Sequence, residues 1–268
     1  MSRFSRTAIV SLGLALFAAS TASAQRIILE GSDVGPLHGY SAWTKQMFNG
    51  LRNNSSNGTK PVYVLESESH TALFTATGIS FFETGSVAAL DIANYSALYV
   101  VSQSGCCSDN PGLVAGGESI VNAFLAAGGS MAIQDYTGKN ASWATILGFT
   151  PPSSPSAVVG YDTYGGGTSC FDGNTVTAAG FAAGFTSAPS VGCFGHQAYD
   201  MNYFSTKGFT SLVDAPAGTF GPAGRYGTVI GSNLPTTAAL LTPEPASLVL
   251  LGTGLVGVIG IARRRRTS

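Results

Sequence analysis

The sequence predicts an α/β domain of three layers around a mainly parallel sheet, placed between two segments that serve as addresses. Three observations carry this. Strand-helix-strand patterns occur over 26–65 and again over 97–134. The chain from Pro151 onward is rich in Gly, Pro, Ser and Thr and offers only short strand candidates, which suit additions to an existing sheet. Both ends carry apolar runs with arginines on one side.

The ends are set aside first, because neither bears on the fold. Arg3 and Arg6 precede an apolar run from Ala8 to Ala19, and Ala22-Ser23-Ala24 is a small-x-small cleavage site. This predicts a signal peptide over 1–24 and a mature chain starting at Gln25. At the other end, residues 243–268 read Pro243-Glu244-Pro245, an uncharged apolar run from Ala246 to Ala262, and arginines at 263, 264, 265 and 266. Such a run predicts a single transmembrane helix, with Arg263, Arg264, Arg265 and Arg266 on the cytoplasmic side.

That order of parts resembles the PEP-CTERM sorting tail of Gram-negative bacteria. The resemblance implies an intramembrane exosortase that recognises Pro243, Glu244 and Pro245 and removes the helix, passing the protein to the cell surface or exterior. The partners expected on this ground are the exosortase and, transiently through the tail, the bacterial inner membrane. Surface polysaccharide is a further candidate.

Between the addresses lies one exported domain, 25–242. Arg26 to Glu30 is a short apolar run and reads as a buried strand. Trp43, Met47, Phe48 and Leu51 then recur on one helical face, with Ser41 as N-cap and the Asn/Ser/Gly cluster from Asn53 to Gly58 as the stop. Pro61 to Leu65 is the second strand. Residues 71–82 read as strand or loop, and Ser86 to Ile92 as a short helix.

Ala97 to Val101 is the third strand. A loop over 102–117 leads to a helix at Glu118 to Ala127, striped by Ile120, Val121, Phe124 and Leu125. Gly128-Gly129 ends it, and Ser130 to Gln134 is the fourth strand. Trp143 to Phe149 reads as a further helix. Strand candidates follow at Val158 to Tyr164, Thr175 to Ala178, Phe209 to Val213 and Tyr226 to Ile230, and His196 to Lys207 reads as a helix. Phe194, Tyr199, Tyr203 and Phe204 form an aromatic group that suits either the core or a carbohydrate.

The stretch from YSALYVV to FLAAGGSMAIQDY is similar to the class I glutamine amidotransferase-like superfamily, over roughly Arg26 to Phe149. The resemblance implies a flavodoxin-like fold. It also implies a nucleophile elbow, Gly-x-Cys-x-Gly, and a later His-x-Glu. Gly105-Cys106-Cys107-Ser108-Asp109 puts Asp109 where the second Gly belongs, and His196 is followed by Gln197 and Ala198. The expected body is therefore a non-catalytic relative.

Composition narrows the function classes. Without the residues of the two addresses, the body has seven basic and thirteen acidic residues, a net charge of −6. No basic patch for nucleic acid is expected. Cys106, Cys107, Cys170 and Cys193 would meet an oxidising compartment. Pairing Cys170 with Cys193 closes a loop of about 20 residues, worth about 3 kcal/mol in the chain-entropy account. Cys106 and Cys107 are left as a strained vicinal pair or as thiols.

Ligands of open α/β sheets lie beyond the carboxyl ends of the strands. Those ends supply Asp33, His38, Glu66, Glu68, His70, Cys106, Cys107, Asp109 and Asp135. The catalytic candidates are Asp33, His38 and Asp135, for a secreted hydrolase or carbohydrate-active protein. Against them stands the plain reading that loops at strand ends are polar whatever they do. No His-Glu-x-x-His or Cys-x-x-Cys pattern supports a metal locally, although His38, His70 and Asp135 could converge. Asp162, Asp172 and Asn174 lack EF-hand spacing, and Gly165-Gly166-Gly167 lacks the helix of a phosphate cradle. No cofactor is expected.

Overall fold

The computed structural model describes residues 27–66, 68–101, 116–134, 158–160, 171–190, 192, 194–219 and 225–232. Its first strand, β1, is Ile27–Glu30, and helix α1 follows at Ser41–Asn53. Strand β2 is Val62–Leu65, α2 is Thr71–Ala76 and β3 is Phe81–Thr84. Then come β4 at Ala97–Val100, α3 at Glu118–Ala126 and β5 at Ser130–Gln134. The C-terminal half supplies β6 (Val158–Gly160), β7 (Thr175–Val176), α4 (Ala178–Ala182), β8 (Gln197–Asp200), α5 (Met201–Phe204), β9 (Phe209–Asp214) and β10 (Tyr226–Ser232).

The ten strands among the described residues form one sheet in the order β3-β2-β4-β5-β1-β10-β8-β6, with β9 beside β10 and β7 beside β9. The sheet is mixed, not mainly parallel. Every pairing among β1 to β5 is parallel, and every pairing that involves β6 to β10 is antiparallel. Of the antiparallel pairs only β9 and β10 are consecutive strands, and the connection over 215–225 is of the short kind an antiparallel pair allows. The other antiparallel pairs join strands that do not follow one another in the chain.

Alternate residues of the central strands enter two separate cores, as the period of two demands. Ile27, Leu29, Tyr63, Leu65, Leu98, Val100, Met131 and Ile133 pack with Val121, Phe124 and Leu125 of α3 and with Met201 and Phe204 of α5. Ile28, Val62, Val64, Tyr99 and Ala132 pack on the opposite face with Trp43, Met47, Phe48 and Leu51 of α1 and Phe74 of α2. Burial on both faces is why these strands read as unbroken apolar runs.

The junction from α3 to β5 shows why its glycines are needed. Gly128 has φ +96°, in the left-handed region that lets the helix end. A Cβ on Gly129 would lie 2.2 Å from the Phe124 ring, which packs flat where that side chain would stand. Gly129→Ala is expected to destabilise the protein by about 1–3 kcal/mol through overpacking, read as a lower denaturant midpoint at constant slope.

Several local expectations are corrected. Residues 71–82 divide into a helix and a strand. Residues 86–92 form turns rather than a helix, although Val87 and Leu90 still reach the core. Ser41 is the first helical residue of α1; Tyr40 precedes it, with no side-chain cap. The stretch 196–207 opens as strand β8, because Gln197, Ala198 and Tyr199 are buried beside β10 and β6. Only after Asp200 does it turn helical, with the Asp200 carboxylate accepting from the Asn202 N–H at 2.8 Å. The strand at 175–178 stops at Val176, where Thr177 caps α4 by accepting from Gly180 N at 3.0 Å. No helix among the described residues is long and apolar enough to cross a membrane. The expected helices at 143–149 and 246–262 lie outside the described residues, as do all four cysteines and therefore the Cys170–Cys193 pairing.

Candidate functional site

Three side chains from distant parts of the sequence meet where β1 ends. Strand β10 pairs with β1 through Val229 to Ser232 and with β8 through Tyr226 and Gly227, so β8 takes over from β1 along one edge. Gly31 is the changeover. Its N–H donates to Thr228 O at 2.7 Å, and its carbonyl accepts from His196 N at 2.9 Å and Gln197 N at 3.0 Å. A Cβ there would lie 2.2 Å from Gln197 O, so the two strands approach this closely only across a glycine.

Asp33 follows two residues later. The chain then coils into a compact turn, with Leu37 N donating to Asp33 O at 3.0 Å, Gly39 N to Gly35 O at 2.8 Å and Tyr40 N to Val34 O at 3.1 Å. Gly39 takes φ +73° to close it. The turn carries His38 back over Asp33. His38 Nε2 stands 3.3 Å and His196 Nε2 3.1 Å from the same oxygen, Asp33 Oδ1. Asp33 is 2% exposed and His196 5%, while the His38 side chain is 35% exposed.

Support beneath this group is polar and buried. Gln134 at the end of β5 donates from Nε2 to Ser32 O at 2.8 Å, fixing the residue before Asp33. Glu30 accepts from Ser32 Oγ at 2.7 Å and Trp43 Nε1 at 2.6 Å on one oxygen, and from Tyr99 Oη at 3.1 Å on the other. Burial pushes its carboxyl up to about 7, against the pull of these three donors. Tyr99, equally buried and facing Glu30, is held well above the usual phenol range.

A second polar group lies at the ends of β2 and β3. His70 Nδ1 is 2.6 Å from Glu66 Oε2. The His70 N–H is shared between Glu66 Oε1 at 2.9 Å and Glu83 Oε1 at 2.8 Å, and Thr71 Oγ1 donates to Glu83 Oε2. Burial, and then the Glu83 carboxylate beside it, raise Glu66 to about 9. Hydrogen bonds from Glu66, Thr71 and Ser69 outweigh burial at Glu83 and hold it below the ordinary range. Strand β2 is three places from β1, which is about 14 Å at the usual strand spacing. His70 therefore belongs to this group and does not converge with His38.

Of the expected catalytic residues, Asp33 and His38 come together, and Asp135 lies outside the described residues. The third member here is His196, which in the sequence stands out only as half of a missing His-x-Glu. Its one signal was a polar residue opening a buried strand. Asp172 and Asn174, the calcium hints, serve the fold: Asp172 Oδ1 accepts from Phe194 N at 3.1 Å, and Asn174 Oδ1 accepts from Thr228 Oγ1 at 2.6 Å. Phe194, Tyr199 and Phe204 are fully buried core residues, not a carbohydrate platform.

The family model of the PEP-CTERM protein-sorting motif matches residues 241–266. The chain thus carries the address of an exosortase-sorted, exported protein directed to the cell surface or exterior, with the exosortase as its processing partner. Neither a curated protein nor a solved structure matches the chain.

Proposed function

We propose that the protein is an exosortase-processed component of the cell surface or extracellular matrix, with a flavodoxin-like body related to the class I amidotransferases and lacking their catalysis. The observation that carries the sorting part is the motif at 241–266. For the body, support comes from topology. A flavodoxin-like sheet runs 2-1-3-4-5. Strands β3-β2-β4-β5 follow the 2-1-3-4 part of that order, and β1 stands in the fifth place. Helices α1 and α2 cover one face and α3 the other, as that winding requires when the strand entering the fifth place comes first in the chain.

The loss of amidotransferase chemistry is supported by Asp109 at the second elbow Gly and by the absence of His-x-Glu after His196. The placement of His196 against Asp33 agrees, since it lies at the β1–β8 junction. A second reading, a secreted hydrolase, rests on the convergence of Asp33, His38 and His196.

Intact mass of the protein recovered from the native host's surface fraction tests the sorting. A chain beginning at Gln25 and ending near Pro243 is expected. A surface form that retains Arg263 to Arg266 would overturn processing. Alkylation in the same experiment reads the thiols, and a reactive Cys106 or Cys107 would overturn the non-catalytic body.

A further inference from the structure

We propose that Asp33, His38 and His196 bind one divalent transition-metal ion, zinc in preference, as the three ligands that the described residues supply, with the partly exposed His38 at the solvent side. This goes beyond the sorting function and holds whether or not the body is catalytic.

The geometry is that of ligands around a common point. One oxygen and two imidazole nitrogens lie within 4.8 Å of one another. Tetrahedral zinc, with bonds of about 2.0–2.1 Å, places its ligand atoms about 3.3 Å apart. The separations from Asp33 Oδ1 are 3.1 and 3.3 Å. A hydrogen-bonded His-Asp-His array would show similar distances, so direction decides. Among the described residues no hydrogen bond reaches Asp33 Oδ1, although two ring nitrogens stand beside it and the atom is buried. Nitrogens that crowd an oxygen without aiming an N–H at it are what lone pairs directed at a shared cation produce.

Charge points the same way. A buried carboxylate needs a compensating charge. Among the described residues Asp33 meets no Lys or Arg, only the two imidazoles, which are ligands for a cation as well as partners for a carboxylate. A dication supplies the charge.

The donor set selects its chemical class. Two imidazoles disfavour calcium and magnesium, which take oxygen ligands, and suit zinc and its neighbours. The surroundings are already rigid: Gln134 fixes Ser32, and the Gly31 carbonyl fixes His196.

The test uses the full chain in detergent, stripped with a chelator and with any free thiol alkylated so that cysteine cannot compete. Zinc is titrated by calorimetry, and cobalt is followed by its visible d–d absorption. One equivalent is expected to bind and to raise the thermal midpoint, with a tetrahedral-type cobalt spectrum. His38→Ala, Asp33→Asn and His196→Ala are each expected to weaken zinc by more than about 100-fold, beyond the 10–100-fold typical of outer-shell changes. His70→Ala, in the other polar group, should bind as the parent does. Because His38 is partly exposed, His38→Ala keeps the test decisive if the buried variants fail to fold. No saturable binding to the folded chain, or binding unchanged in His38→Ala, would overturn the proposal. Neither result bears on sorting, which the surface mass reads separately.

Discussion

Trp43→Ala is expected to lower the unfolding free energy by about 3–5 kcal/mol, the usual cost of truncating a buried large aromatic. Trp43 is 1% exposed, with ring centroids 5.1 Å from Phe185 and 5.2 Å from Phe194. It therefore ties α1 to segments more than 140 residues away in the C-terminal half. Its indole N–H is also one of three donors to the buried Glu30. Trp43→Phe separates the two contributions, since it keeps most of the ring contact and removes the donor. Above pH 7, where Glu30 is ionised, it should cost about 1.5–3 kcal/mol, the range for a hydrogen bond to a charged group. Denaturant midpoints at constant slope measure both. Trp43→Phe equal to the parent would show that Ser32 and Tyr99 satisfy Glu30 on their own.

The strands β1, β2, β4 and β5 were legible because each is a short apolar run buried on both faces. Helix α1 was legible because Trp43, Met47, Phe48 and Leu51 mark one stripe. Period alone misled at 196–207. Tyr199, Tyr203 and Phe204 have helical spacing, yet Gln197 to Asp200 is held extended by long-range pairing with β10 and β6, which no local window contains. The same kind of distance hid half the site. Asp33 and His38 are five residues apart and joined by a local turn. His196 reaches them only because β8 succeeds β1 along the edge of β10. The two acids at the far edge, Glu66 and Glu83, share a site because β2 and β3 pair in parallel, Val64 opposite Glu83 and Leu65 opposite Thr84.

Stability is expected to fall as pH rises from about 4.5 to about 7, and Glu30 is the residue that sets this window. Its carboxyl titrates near 7 in the folded chain against 4.5 for an ordinary glutamate. Between those values the folded state holds a proton that the unfolded state has released, so deprotonation favours unfolding. The contribution is complete below the unfolded value and lost once pH has passed the folded one. At 1.36 kcal/mol per unit, the change across the window is about 3 kcal/mol. Glu66, raised to about 9, adds a like slope over the same window and extends the fall to higher pH. Glu83, held low, acts in the opposite sense: its contribution is present above the ordinary carboxylate range and is lost as pH falls through its depressed value. Glu30→Gln isolates the first term, because its amide oxygen can accept from Ser32 and Trp43 while its NH₂ donates to the Tyr99 hydroxyl oxygen. Midpoints measured in chelator from pH 4 to 8, so that no bound ion contributes, should slope downward in the parent between 4.5 and 7 and lose about half of that slope in Glu30→Gln, the remainder belonging to Glu66. An equal slope in both proteins would show that the three donors keep Glu30 ionised throughout, and would assign the fall to Glu66 instead.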